Sequence, residues 1–81
     1  METRPELRLT GMMYPFSLLV CQKTLYGLAA GDEIDVLISE PAAVADLTRI
    51  IERSPDRILE NCREGDCFRV RIRKGKVPQT L

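Results

Sequence analysis

Three cysteines, Cys21, Cys62 and Cys67, are the side chains of this 81-residue sequence best suited to nucleophilic or sulfur chemistry, because a thiolate is a strong nucleophile. The sequence contains no histidine, so it holds no Ser-His-Asp triad, no Cys-His pair and no zinc site that needs histidine ligands. No two cysteines stand in a Cys-x-x-Cys arrangement, and neither a metal nor another cofactor is expected. An odd number of cysteines without a secretion signal predicts reduced thiols.

Cys62 and Cys67 enclose the sequence Arg-Glu-Gly-Asp, which is a turn signal between two strands. If the two thiols face one another across those strands, they can form a disulfide or a reactive pair, and Arg63 and Arg69 would favour the thiolate. The alternative is that both are ordinary hairpin residues. Cys21 instead falls on an apolar helical stripe, where a buried thiol is inert.

Arginines recur at every second position near the C-terminus, as Arg69, Arg71 and Arg73. This spacing places them on one face of a strand, where they would bind RNA phosphates or an acidic protein partner. The alternative is a solvated sheet face on which they pair with Glu60 and other acids. Twelve Lys and Arg are balanced by twelve Asp and Glu, which favours the solvated face and makes nucleic acid the weaker expectation.

Apolar periodicity predicts the elements that position these residues. Alternation of apolar and polar residues predicts four strands, and apolar residues three and four positions apart predict two helices. The predicted order is β-α-β-α-β-β, with a strand at Leu7 and Leu9, a helix from Pro15 to about Ala29, a strand at Ile34, Val36 and Ile38, a helix from Pro41 to the stop at Ser54-Pro55, and strands over 57–63 and 67–73.

Each predicted helix has a single apolar face, formed by Leu18, Cys21, Leu25 and Leu28 in the first and by Val44, Leu47 and Ile51 in the second. This pattern favours an α/β (α+β) two-layer sandwich, a four-stranded mixed sheet with both helices on one face. The opposite face would be solvated and would carry the arginines. One domain is expected over residues 1–81, with its core at about 7–76 and a frayed tail after Lys74-Gly75-Lys76.

The apolar run Leu18-Leu19-Val20-Cys21 falls far short of the roughly 20 residues that cross a bilayer. The N-terminal residues show no apolar stretch of the signal-peptide type. Together these features predict a cytoplasmic protein that does not contact a membrane.

Several short motifs follow one another along the chain. They are Leu7-x-x-x-Gly11-Met12-x-x-Pro15, Lys23-Thr24 on the first helix, Gly31-Asp32, Pro41 with Asp46 downstream, and Ile72-Arg73-Lys74-Gly75. In their order and spacing, over about residues 7–76, the chain resembles the TusA/SirA-like family of small sulfur-carrier proteins, which includes the YedF-like members. The resemblance implies a β-α-β-α-β-β two-layer fold and a prokaryotic protein of a sulfur relay.

The family's Cys-Pro-x-Pro motif, at the start of the first helix, implies a cysteine that accepts sulfur as a persulfide and passes it to a partner. Here the corresponding residues are Tyr14-Pro15-Phe16-Ser17. A phenol, with an ordinary pKa of about 10, cannot carry a persulfide. We therefore expect a divergent member that binds a sulfur-relay or other cytosolic protein through Tyr14, Pro15, Phe16 and Ser17.

Two other functions stay open. The chain would be an active sulfurtransferase if Cys67 or Cys62 carried the sulfur, and whether it is an enzyme depends on these thiols. It would be an RNA- or protein-binding module if it acted through Arg69, Arg71 and Arg73.

Overall fold

The computed structural model describes residues 5–76, in which the elements follow the predicted order β-α-β-α-β-β. They are β1 (Glu6–Arg8), α1 (Phe16–Tyr26), β2 (Glu33–Ile38), α2 (Pro41–Glu52), β3 (Arg57–Glu64) and β4 (Cys67–Arg73). The tail that was expected to fray after Lys76 lies outside the described residues.

The four strands form one sheet in the order β1-β2-β4-β3. β1 and β2 are parallel, with Leu7 beside Val36, whereas β4 is antiparallel to both β2 and β3. The sheet is therefore mixed, as predicted. Its two edges differ in length, since β1 has three residues and β3 has eight.

Both helices pack against one face of this sheet. On that face, Val36, Val70 and Ile72 are completely buried. The helices contribute the apolar faces that their spacing predicts, namely Leu18, Cys21 and Leu25 from α1 and Ala43, Val44, Leu47 and Ile51 from α2. The core thus lies between the helices and the two central strands.

Prolines lie at the starts of both helices, at or next to the first helical residue, nearly as predicted. Pro41 is the first residue of α2, whereas Pro15 immediately precedes α1. Helix α1 ends at Tyr26, earlier than expected, because its last turn tightens: the N–H of Gly27 donates to the Thr24 carbonyl at 3.1 Å. Within residues 5–76, neither helix has the length and apolar character that spanning a membrane requires.

β3 and β4 form the predicted hairpin, and β3 extends one residue further than expected, to Glu64. Glu64 pairs with Cys67, which leaves Gly65 and Asp66 as the turn, with Gly65 at φ +60°. A bulge between Ile58 and Glu60 interrupts the register of β3.

Candidate functional site

The predicted partner-binding residues Tyr14 to Ser17 lie in the connection between β1 and α1 and in the first turn of α1. This connection turns immediately after β1, where the N–H of Met12 donates to the Leu9 carbonyl at 3.1 Å. Gly11, at φ +84°, donates its N–H to Oγ of Ser39 at 3.3 Å. The connection is therefore tied to the end of β2 and held in a defined position.

Tyr14 joins this connection to helix α2. Its hydroxyl donates to Oδ2 of Asp46, and its N–H donates to Oε1 of Glu40 at 3.2 Å. Asp46 also accepts a hydrogen bond from Arg49 at 3.2 Å. The hydrogen bond to Asp46, with a smaller contribution from desolvation, raises the pKa of Tyr14. The phenol consequently stays protonated at neutral pH and acts as a hydrogen-bond donor that fastens the loop to α2.

Five large apolar side chains around the start of α1 are exposed to solvent, one of which is Met12, at 38%. The exposed fractions of the other four are 71% for Met13, 59% for Phe16, 56% for Leu19 and 37% for Tyr14. Phe16 and Leu19 are three positions apart in α1, so they project from the same side of the helix. We call Met13, Tyr14, Phe16 and Leu19 the docking surface. Exposed aromatic and methionine side chains are enriched at protein interfaces.

Pro15 and Ser17 differ in their exposure. Pro15 is exposed, but only 1% of the Ser17 surface is accessible. Ser17 Oγ has no hydrogen-bond partner among the described residues. Ser17, predicted as a binding residue, therefore offers a partner almost no contact area.

The two helices differ on their outer sides. In α2 the apolar side chains are concentrated on the buried side, whereas α1 also exposes Phe16, Leu19 and Tyr26. The only charged residue of α1 is Lys23. Sequence reasoning singled out Phe16 but missed Leu19, which could have been found as an apolar residue off the buried stripe. An outer helix side of this kind suits contact with another protein.

The three cysteines lie in two environments. Cys21 is completely buried, and burial raises its pKa to about 12. Cys62 and Cys67 are half-buried on the sheet face that points away from the helices, which we call the open face.

Cys62 and Cys67 do not face one another across the hairpin. Cys62 is opposite Arg69, and Cys67 is opposite Glu64. The two cysteines are therefore diagonal neighbours, whose Cα atoms are typically about 7–8 Å apart, whereas a disulfide needs them within about 7 Å. All three thiols are free.

Native alkylation should distinguish these thiols. We expect iodoacetamide to modify Cys62 and Cys67 at about pH 8 and to modify Cys21 far more slowly, because Cys21 is completely buried and burial raises its pKa to about 12. Intact mass with peptide mapping would measure this, and denaturant should release the third site. Rapid modification of all three cysteines in the folded chain would show that Cys21 is accessible. Cys21→Ala, which lacks one site, identifies the modification that belongs to Cys21.

The arginines of β4 lie on the open face and are all paired with carboxylates. The ion pairs are Arg69 with Asp35 (2.9 Å), Glu6 (3.0 Å) and Glu64 (2.8 Å), Arg71 with Asp35 (3.0 Å) and Glu60 (3.1 Å), and Arg73 with Glu33 (2.8 Å). The expected pairing with Glu60 is thus present at Arg71. These pairs neutralise much of the positive charge, so RNA binding through this face stays a prediction without a structural observation in its favour.

Comparisons with known proteins bear on both the sequence and the fold. No family model matches the chain. The chain is similar to the sulfur carrier protein TusA of Allochromatium vinosum, with 28% identity over 70 residues, which are 86% of this chain and 92% of that protein. Its structure is similar to the crystal structure of the SirA-like protein from Desulfitobacterium hafniense, with a TM-score of 0.68 and 22% identity, over 88% of this chain and 97% of the other. The second likeness confirms the predicted α+β fold of two helices on a four-stranded mixed sheet.

Proposed function

We propose that this chain, whose assignment to the TusA/SirA-like sulfur-relay family is supported by both likenesses, acts in or beside a sulfur relay by binding a partner protein. The docking surface is the contact. The proposal rests mainly on Phe16, an aromatic side chain that is 59% exposed next to a tyrosine held in place by Asp46.

The geometry of the docking surface favours binding on energetic grounds. Fully burying a side chain such as Phe, Leu or Met is worth about 1.5–3 kcal/mol. The hydrogen bonds of Tyr14 to Asp46 and Glu40 hold the loop before any partner arrives. A preordered loop loses less conformational entropy when it binds, so a larger share of the free energy gained by burying apolar surface contributes to affinity.

Tyr14 also explains why the proposal concerns binding and not sulfur carriage at this position. Forming a persulfide requires a sulfur atom, and position 14 presents a phenol oxygen that is engaged with Asp46. The same side chain therefore removes the carrier chemistry and stabilises the shape of the loop.

Replacing Phe16 with Ala should weaken binding to a sulfur-relay partner by about tenfold or more, as expected for the loss of a central aromatic contact. A purified cysteine desulfurase and a purified rhodanese-type sulfur donor are suitable probes, with affinities measured by isothermal titration calorimetry. Phe16 is exposed, so the variant should keep its fold, which circular dichroism would verify.

Leu59→Ala is the matched control, because Leu59 is also exposed, at 41%, but lies in the bulge of β3. It should leave the affinity unchanged. Equal weakening by both substitutions, or binding that tolerates the loss of Phe16, would refute the docking surface as the contact.

A second function, sulfur transfer, is favoured by one observation: Cys62 and Cys67 lie on the same face of the sheet and are only half-buried. In this reaction, the thiolate of Cys67 or Cys62 would attack the outer sulfur of a donor persulfide. The new S–S bond would form on the chain, and the donor cysteine would leave as a thiolate.

Incubation with a cysteine desulfurase and free cysteine separates the two functions. Persulfide on Cys67 or Cys62, located by peptide mapping and lost in Cys67→Ala or Cys62→Ala, would establish a sulfurtransferase. Binding of the desulfurase without a persulfide adduct would support the docking function.

A further inference from the structure

The two helices leave the outer edge of the sheet partly uncovered on the core side. On that side, Asn61 and Arg63 of β3 are opposite Val70 and Phe68 of β4. Val70 is completely buried, but Asn61 and Arg63 are exposed. Helix α2 therefore covers β4 and leaves the outer half of β3 open.

A continuous groove lies between α2 and β3. One half has a volume of about 540 Å³ and is lined by apolar side chains that include Val44, Ala45 and Phe68. The other half has a volume of about 560 Å³ and is lined by Ile51 and Ile58 together with the charged residues Glu52, Asp56 and Arg57. Thr48 and Asn61 line both halves, so the groove follows the length of α2. Twelve helical residues extend about 18 Å, which five or six residues of an extended chain would span.

The half of the groove next to Phe68 is positively charged. Arg63 lines it together with Arg49, whose charge is paired with Asp46, and no carboxylate lines this half. Arg63 donates Nε–H to the Gly65 carbonyl at 3.3 Å and lies 5.8 Å from the centre of the Phe68 ring. Unlike the arginines of β4, it has no carboxylate partner within residues 5–76. Its charge is therefore available to an acidic group.

β3 is also an edge strand, so within residues 5–76 the backbone groups along its outer side have no neighbouring strand. The bulge between Ile58 and Glu60 interrupts this edge, and regular pairing is possible from Glu60 to Glu64. A free strand edge beside a side-chain groove is the arrangement that binds an extended peptide by strand addition.

We propose that the groove between α2 and β3 is a second interaction surface, which binds an extended acidic segment of a partner protein as a strand added to β3. In this complex an apolar side chain of the segment packs beside Phe68, and a neighbouring carboxylate pairs with Arg63. This groove is separate from the docking surface, so an experiment can refute one of the two proposed surfaces without refuting the other.

Panning a random heptapeptide phage library against the full chain, followed by NMR titration of the enriched peptides, tests the proposal. Enriched peptides should carry Asp or Glu next to an apolar residue, and amide shifts should concentrate in α2 and β3. Arg63→Glu should weaken binding about tenfold or more, because it reverses the charge that meets the carboxylate. Arg8→Glu, a charge reversal at an exposed arginine of the open face, and Phe16→Ala should leave the affinity unchanged.

The proposal is overturned if no peptide is enriched, if the enriched peptides lack acidic residues, or if they perturb the docking surface instead. It is also overturned if sedimentation shows the chain self-associating through this groove, with Arg63→Glu restoring the monomer, because a second copy would then be the occupant.

Discussion

Replacing Asp35 with Ala is expected to lower the free energy of unfolding by about 2–3 kcal/mol, because it removes the one buried carboxylate between Arg69 and Arg71 and leaves them, among the described residues, only their more exposed carboxylate partners. Asp35 is 6% exposed, and its two carboxylate oxygens accept hydrogen bonds from Arg69 at 2.9 Å and Arg71 at 3.0 Å. A domain of this length is stable by only about 4–12 kcal/mol. The loss should therefore appear as a large drop in the urea midpoint.

Arg8→Ala is the control for Asp35→Ala, because it removes an ion pair from the same face. Arg8 bonds Glu6 at 3.1 Å with 71% of its own side chain exposed, so its removal should cost at most about 0.5 kcal/mol. Asp35→Asn, which keeps the shape of the side chain and removes its charge, should fall between the two. Equal midpoints for Asp35→Ala and the unmodified chain would mean that the network contributes no stability.

The layers of this fold follow from local sequence patterns. The three- and four-residue spacing of Val44, Leu47 and Ile51 identifies the buried side of α2. The alternation of Phe68, Val70 and Ile72 identifies the buried side of β4. These patterns depend on one element at a time, because a side chain's face is set by its own backbone. Only the helix and strand ends shifted, by up to about three residues.

The burial of side chains on the open face could not be predicted from the pattern of a single strand in the same way. It was predicted to be solvated, yet Asp35 and Leu37 on it are 6% and 3% exposed. The reason lies in the strand order, since β2 sits between β1 and β4 and the long arginine side chains of β4 lie across it. Pairing between distant strands is not encoded in the alternation of any single strand.

The candidate site likewise combines features that the local sequence predicts with contacts that only the tertiary structure shows. The loop was predicted as a binding site from the family resemblance, and in the structure Tyr14 lies just before α1 and Phe16 is its first residue. The bond from Tyr14 to Asp46 joins positions 32 residues apart, and no local pattern links them. The partner-binding role of the loop stays a prediction, and the tertiary structure shows which contacts hold the loop in place.

Gly75 illustrates a structural constraint that the sequence pattern conceals. It stands in a segment predicted to lead into a frayed tail, but its N–H donates to Oδ1 of Asp56 at 2.9 Å. Nearby, the N–H of Lys74 donates to the Asp32 carbonyl at 2.8 Å. A Cβ atom on Gly75 would overlap the carbonyl group of Pro55 and approach the Asp56 nitrogen to 3.0 Å. Glycine is needed here because two backbone segments touch.

Gly75→Ala should therefore destabilise the protein by about 2–3 kcal/mol, toward the upper end of the usual cost of overpacking, because the obstacle is backbone that no rotamer change can move away.

Gly27→Ala is the matched control. Gly27 has helical dihedral angles (φ −85°, ψ −4°), and its added Cβ would meet nothing closer than 3.6 Å. That substitution should be neutral or should stabilise by up to about 1 kcal/mol, since it restricts the unfolded chain. Urea unfolding of both variants gives the comparison, in which only Gly75→Ala should lower the midpoint. If Gly75→Ala matched Gly27→Ala, the contact between the end of β4 and the start of β3 would have to be loose enough to admit a methyl group.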